Sequence, residues 1–116
     1  MNDKKILSRE DILAHKVKRE FIDMPEWGGG VYVQTISARA GLELADRSED
    51  DGQNRAVVNV GRLLVMAVVD EAGRALFTEA DIPSLMEQSR TDIDRLSEAV
   101  MRLNKMGTWT EEAEKN

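Results

Sequence analysis

Residues able to do chemistry are few in this chain and poorly spaced for it. His15 is the only histidine among 116 residues, and there is no cysteine. A Ser-His-Asp relay needs an imidazole steadied by a carboxylate and facing a hydroxyl. His15 instead stands beside Lys16 at the expected end of a short helix, and no catalytic role is assigned to it. Without thiolates there is no disulfide frame and no Cys-ligated zinc, so any metal would need a carboxylate cage. The best such stretch is Asp46-Arg-Ser-Glu-Asp-Asp-Gly52. Read as a calcium loop from Asp46, its glycine arrives one residue late, and Val57 stands where a bidentate Glu is required. A solvated acidic turn is the better reading. Gly28-Gly29-Gly30 lacks the Gly-Lys-[Ser/Thr] of a phosphate cradle, and the Val-Tyr-Val-Gln that follows reads as strand. The sequence therefore predicts no catalytic residue, no metal and no cofactor. Binding or assembly is the role left.

Charge narrows the partners. Sixteen Lys and Arg against 22 Asp and Glu leave a net −6, the wrong sign for displacing counterions from nucleic acid or for an anionic membrane surface. The longest apolar run, Leu63 to Val69, is far shorter than the roughly 20 residues that span a bilayer. Met-Asn-Asp-Lys-Lys at the start has no apolar stretch after it and does not read as a secretory signal. A protein partner remains, and aromatic and methionine side chains are the usual anchors. Phe21 and Phe77 are expected in the core. Trp27, beside a glycine turn, and Trp109, beyond the last helix, are candidate anchors. The candidate contact surface comprises Trp27, Tyr32, Met66 and Met101.

The elements that must position these residues follow from caps and periodicity. The 41% hydrophobic content supplies one modest core, so residues 1–107 are expected to form a single domain and 108–116 a flexible acidic tail. Ser8 followed by Asp11 caps a short helix over 9–15. Two β-rich runs around the glycine cluster predict a hairpin over 17–36. Ser37 caps a helix over 38–48, with Leu42, Ala45 and Gly41 on its inner face. Arg55, Asn59 and Arg62 recur along one stripe, with Met66 following, so 55–69 reads as a central helix despite its many valines. Asp70-Glu-Ala-Gly73 ends that helix in a turn. Thr78-Glu-Ala-Asp81 and Thr91-Asp-Ile-Asp94 are capping signatures that open helices over 79–89 and 92–106. The second carries Ile93, Leu96, Val100 and Leu103 on one face, and Gly107 is placed to stop it. The fold class is α+β: an N-terminal β-hairpin packed on a mainly helical body.

Several of these segments, taken in order, resemble a known family. They are Ile6-Leu-Ser-Arg-Glu-Asp-Ile12, Met24-Pro-Glu-Trp-Gly-Gly29 with Val31-Tyr-Val33, Val69-Asp-Glu-Ala-Gly-Arg-Ala-Leu-Phe-Thr78 with Asp81, and Asp94-Arg-Leu96 through Arg102-Leu-Asn104 to Glu-Glu-Ala-Glu-Lys-Asn116. In this order and spacing they are similar to the tail assembly chaperones of long-tailed (siphovirus-type) bacteriophages and prophages. The resemblance covers most of the chain, and each piece is also ordinary cap, turn or core chemistry. It implies a small non-enzymatic protein of the host bacterial cytoplasm, absent from the mature virion. Such a protein binds and solubilises the tape measure protein, helps recruit tail tube protein, and associates with itself. The family often makes a longer product by a minus-one ribosomal slip near the end of the frame. Glu114-Lys115-Asn116 is compatible with the run of A such a slip needs, and equally with a plain charged tail. Two other classes stand beside this one: a structural head–tail or tail component of the virion, and a small regulatory domain binding a host protein.

Overall fold

The computed structural model describes residues 4–15, 17–48 and 55–106. Trp109, the 108–116 tail, the Gly107 stop and the acidic loop over 49–53 lie outside the described residues.

Local chemistry accounts for the first elements. The Ser8 hydroxyl accepts the Asp11 backbone N–H at 3.1 Å, and the Asp11 carboxylate accepts that of Ser8 at 3.0 Å. This reciprocal box opens α1 (Arg9–Leu13), which buries none of its residues. β1 (Arg19–Met24) and β2 (Gly29–Gln34) then pair antiparallel, Arg19 opposite Gln34 and Met24 opposite Gly29. Between them Pro25–Trp27 forms a 3-10 turn, and Gly28 reverses the chain at φ +80°. Only glycine adopts that conformation without a Cβ penalty. On β1, Ile22 and Met24 point inward and Phe21 and Asp23 outward, as a period of two requires.

α2 (Ala38–Ser48) has the expected bounds, and the Ser37 hydroxyl accepts the Ala40 N–H at 3.0 Å. Its inner face differs from the sequence reading. Leu44 packs against the core while Leu42 is 72% exposed. α3 (Arg55–Ala67) is the central helix: α2, α5 and the short α4 (Ile82–Leu85) all pack on it. It ends two residues earlier than expected. Val68–Val69 forms β3, which pairs antiparallel with β2, Val68 opposite Val33 and Val69 opposite Tyr32. The sheet order is β1-β2-β3. A continuous apolar run is compatible with helix and with buried strand alike, and the unsatisfied edge of β2 decides for strand.

Along the α3 stripe Asn59 is buried and Arg62 and Met66 are half-buried, so this face of the helix is covered. Gly61 explains how α4 comes so close, because a Cβ built there would lie 2.5 Å from Cγ2 of Ile82.

After β3 the chain turns at Asp70 to Arg74, with Gly73 at φ +86°. The expected helix over 79–89 is instead a 3-10 turn (Glu79–Asp81) followed by α4. Asp81 accepts the Thr78 N–H at 2.8 Å, as its capping signature predicts. α5 (Arg90–Leu103) begins before Thr91, with Ser89 as its N-cap residue. It buries Ile93, Leu96, Ala99 and Val100 against Leu63 and Leu64 of α3 and Val33 of β2. Fully burying one such side chain is worth roughly 1.5–3 kcal/mol, so this shared layer is the principal stabilising feature. No described helix is long and apolar enough to cross a membrane.

Candidate functional site

The hairpin turn and the segment after β3 meet to form an open groove of about 470 Å³. Trp27 enters from the turn, Leu76 and Phe77 from the loop before α4, and Leu85 from α4 itself. Asp81, Ser84 and Gln88 line it with polar groups. Trp27 is 37% exposed and Leu76 47% exposed, whereas Phe77 and Leu85 rest on the core. The groove thus has a fixed apolar floor and two large accessible walls. A site of that composition suits an apolar side chain from another protein.

The Asp70 turn anchors the loop that carries Leu76 into the groove. The Asp70 carboxylate accepts the backbone N–H of Ala72 at 2.9 Å and of Arg74 at 3.0 Å, and the Arg74 guanidinium lies 3.5 Å away. The Arg74 N–H is the leading cause that holds its pKa below the ordinary carboxylate value, with Ala72 and the Arg74 charge adding to it. Arg19 reaches across from β1 and donates to the Glu71 carbonyl at 2.7 Å. Leu76 follows through its N–H to the Val68 carbonyl at 3.1 Å.

Of the four contact residues read from the sequence, only Trp27 lines this groove. Tyr32 sits on the outer face of the sheet, edge-on to Phe21 with ring centroids 5.5 Å apart. The Arg19 guanidinium carbon lies 5.1 Å from the Tyr32 ring centre, completing a small stack on that face. Phe21 belongs to that surface, at 55% exposed, and not to the core as expected. Met66 is half-buried on α3. Met101 is a correction: it is 2% exposed, part of the core layer, and offers a partner nothing. Leu76 is the residue that sequence reasoning missed. Its signal was an apolar Leu-Phe pair stranded between a tight turn and a capping box, belonging to no element that could bury both.

His15 borders a separate cavity of about 410 Å³ with Val17, Lys18, Thr35, Leu103, Asn104 and Lys105. Among the described residues, no carboxylate lines it. The Thr35 hydroxyl accepts the Lys18 N–H at 3.3 Å. Among the described residues, no three His, Cys, Asp or Glu side chains gather closely enough to hold a metal ion.

Comparison with solved structures finds a likeness of fold. The structure of the bacteriophage HK97 tail assembly chaperone superposes with a TM-score of 0.60, covering 75% of this chain and 85% of that one, at 17% identity. The two chains share a fold. No protein-family model and no curated protein matches the sequence. The expected α+β architecture stands: a three-stranded antiparallel sheet carried on helices.

Proposed function

We propose that this protein is a phage tail assembly chaperone that covers apolar helical stretches of the tape measure protein and keeps them soluble until tail tube subunits are recruited. The observation that carries the reading is the fold it has in common with the HK97 chaperone, which extends over most of both chains. The Trp27–Leu76 groove supplies a physical means, since it exposes apolar side chains that a self-sufficient monomer would bury. A net charge of −6 keeps a loaded complex in solution. Each groove is small, so grip along a long partner comes from many copies acting together. On this reading the protein acts in the host bacterial cytoplasm, is absent from the mature virion, and is a binding protein rather than an enzyme. A longer product from a slip at Lys115 is part of the same proposal, and an AAG codon there argues against it.

Co-expression with the tape measure protein tests the proposal. The soluble fraction of the tape measure is expected to rise with the intact protein and to fall back with Trp27→Asp or Leu76→Asp. Mass spectrometry of purified particles is expected to find none of this chain; stoichiometric copies there would make it a structural virion part instead. Equal insolubility of the tape measure with and without it would remove the chaperone reading.

A further inference from the structure

The groove has a length as well as a composition. Asp81, Ser84 and Gln88 recur at i, i+3 and i+7 along α4 and the turn that continues it, where the Gln88 N–H donates to the Leu85 carbonyl at 3.2 Å. At 1.5 Å per residue these three mark out a polar rim roughly 10 Å long, about two turns of a helix laid beside it. Trp27 and Leu76 are the accessible apolar walls, and Phe77 and Leu85 rest on the core beneath. A helix seated in such a trough inserts apolar side chains one turn apart and turns a polar flank to the rim.

Charge restricts that flank. The stretches that build the groove, 23–30 and 75–89, carry five Asp and Glu and no Lys or Arg. The arginines that bracket the second stretch are engaged elsewhere: Arg74 lies 3.5 Å from Asp70, and Arg90 lies 3.5 Å from Asp94. Asp81 carries the charge of the rim itself. Its Oδ2 accepts the Thr78 N–H at 2.8 Å, while its Oδ1 has no hydrogen-bond or ion-pair partner among the described residues. Glu26, next to Trp27, and Glu87, next to Gln88, are exposed as well. Carboxylates beside an apolar trough attract a cationic flank and repel an anionic one, so they act on choice of partner more than on grip.

We propose that the groove selects its occupant by charge: it takes a client helix that carries two large apolar side chains one turn apart and a Lys or Arg in the adjoining turn, paired with Asp81. The inference rests on the chaperone reading and deepens it. Apolarity supplies the contact, and Asp81 is the specificity-determining residue. Apolar helices flanked by Asp or Glu are passed over, so the protein covers chosen segments of its client and not every greasy one.

Fluorescence anisotropy on the full chain tests this with three labelled helical peptides of about 16 residues, built on Ala and Gln. The first has two Leu four positions apart with Lys in the flanking turns. The second has Glu in place of Lys, and the third keeps Lys but has Ala in place of Leu. The first is expected to bind at least about tenfold more tightly than either of the others, with its advantage over the Glu peptide shrinking in high salt. Asp81→Asn/Gln88→Lys keeps an acceptor for the Thr78 N–H and is expected to abolish or invert the preference for Lys, with the circular dichroism spectrum unchanged. Asp46→Lys makes the same change in net charge on α2, outside the groove, and is expected to leave the preference intact.

A parent that binds the Lys peptide no better than the Glu peptide would overturn the proposal. So would a preference that survives the groove variant, one that Asp46→Lys lowers as far, or an Ala peptide that binds as tightly as the Leu one. Co-expression keeps the two readings apart. Rescue of the tape measure by a parent with no charge preference sinks this inference alone, and the preference without rescue sinks the chaperone reading alone.

Discussion

Asn104 is bonded to Ile36 across 68 residues of sequence: its Oδ1 accepts the Ile36 backbone N–H at 2.9 Å, while its Nδ2 donates to the Val100 carbonyl, also at 2.9 Å. One side chain thus finishes the C-terminus of α5 and ties it to the exit of β2. The Ile36 N–H lies just beyond β2, where the sheet gives it no partner, and the Val100 carbonyl also takes the Asn104 backbone N–H at 3.0 Å. Asn104→Ala is expected to cost about 2 kcal/mol, two hydrogen bonds with one partly buried donor left open. Urea unfolding reads it, and Asn104→Asp should recover no more than part of the loss, because a carboxylate cannot donate to Val100.

The glycines make a graded test of backbone against packing. Gly28 has φ +80° with open space around its Cβ position, so Gly28→Ala should cost roughly 1 kcal/mol from conformation alone. Gly29 is equally open without that dihedral angle, and Gly29→Ala should be close to neutral. At Gly61 a new methyl would gain about 1 kcal/mol in helix propensity but press on Ile82, where overpacking costs roughly 1–3 kcal/mol. Net destabilisation is expected, relieved in the same chain by Ile82→Ala, which removes the Cγ atoms that the new methyl would meet, and not by Ile82→Val, which keeps them.

Acid should loosen the Asp70 turn. The folded pKa of Asp70 lies below its ordinary value, held there by the Arg74 N–H first. Its contribution is therefore complete above the unfolded value of 3.8 and disappears as pH falls through the folded one. The stability difference between the parent and Asp70→Asn is expected to be constant near neutrality and to shrink below about pH 4. Chemical denaturation at pH 7 and pH 3 measures it. A difference that does not change between the two would remove this role for the carboxylate.

Two hydrophobic positions should respond oppositely to charge. Met101→Asp places a carboxylate in the core layer and is expected to cost more than about 3 kcal/mol, enough to unfold a marginal domain. Trp27→Asp changes an accessible groove wall and should leave the circular dichroism spectrum intact while lowering client solubilisation. Loss of fold in both variants would mean that Trp27 is structural.

Much of the framework was legible because its chemistry is local. The Ser8–Asp11 and Thr78–Asp81 boxes, the Ser37 cap and the Gly28 reversal each involve groups at most three residues apart. The α5 stripe of Ile93, Leu96 and Val100 was equally plain, since a helix repeats its inner face without reference to anything else. Hydrogen bonds of that range and a period of 3.6 are properties of the chain itself.

Exposure and long-range pairing were settled by the fold. Which of Leu42 and Leu44 turns inward, or whether Phe21 or Met101 meets solvent, depends on what stands opposite, and that residue is distant in sequence. Val68–Val69 became strand because β2 offers an unpaired edge there, although the preceding pattern continues as helix. The groove is the extreme case. Trp27 and Leu76 are 49 positions apart and neither belongs to a regular helix or strand, so only the packing of the turn against the α4 region brings them together.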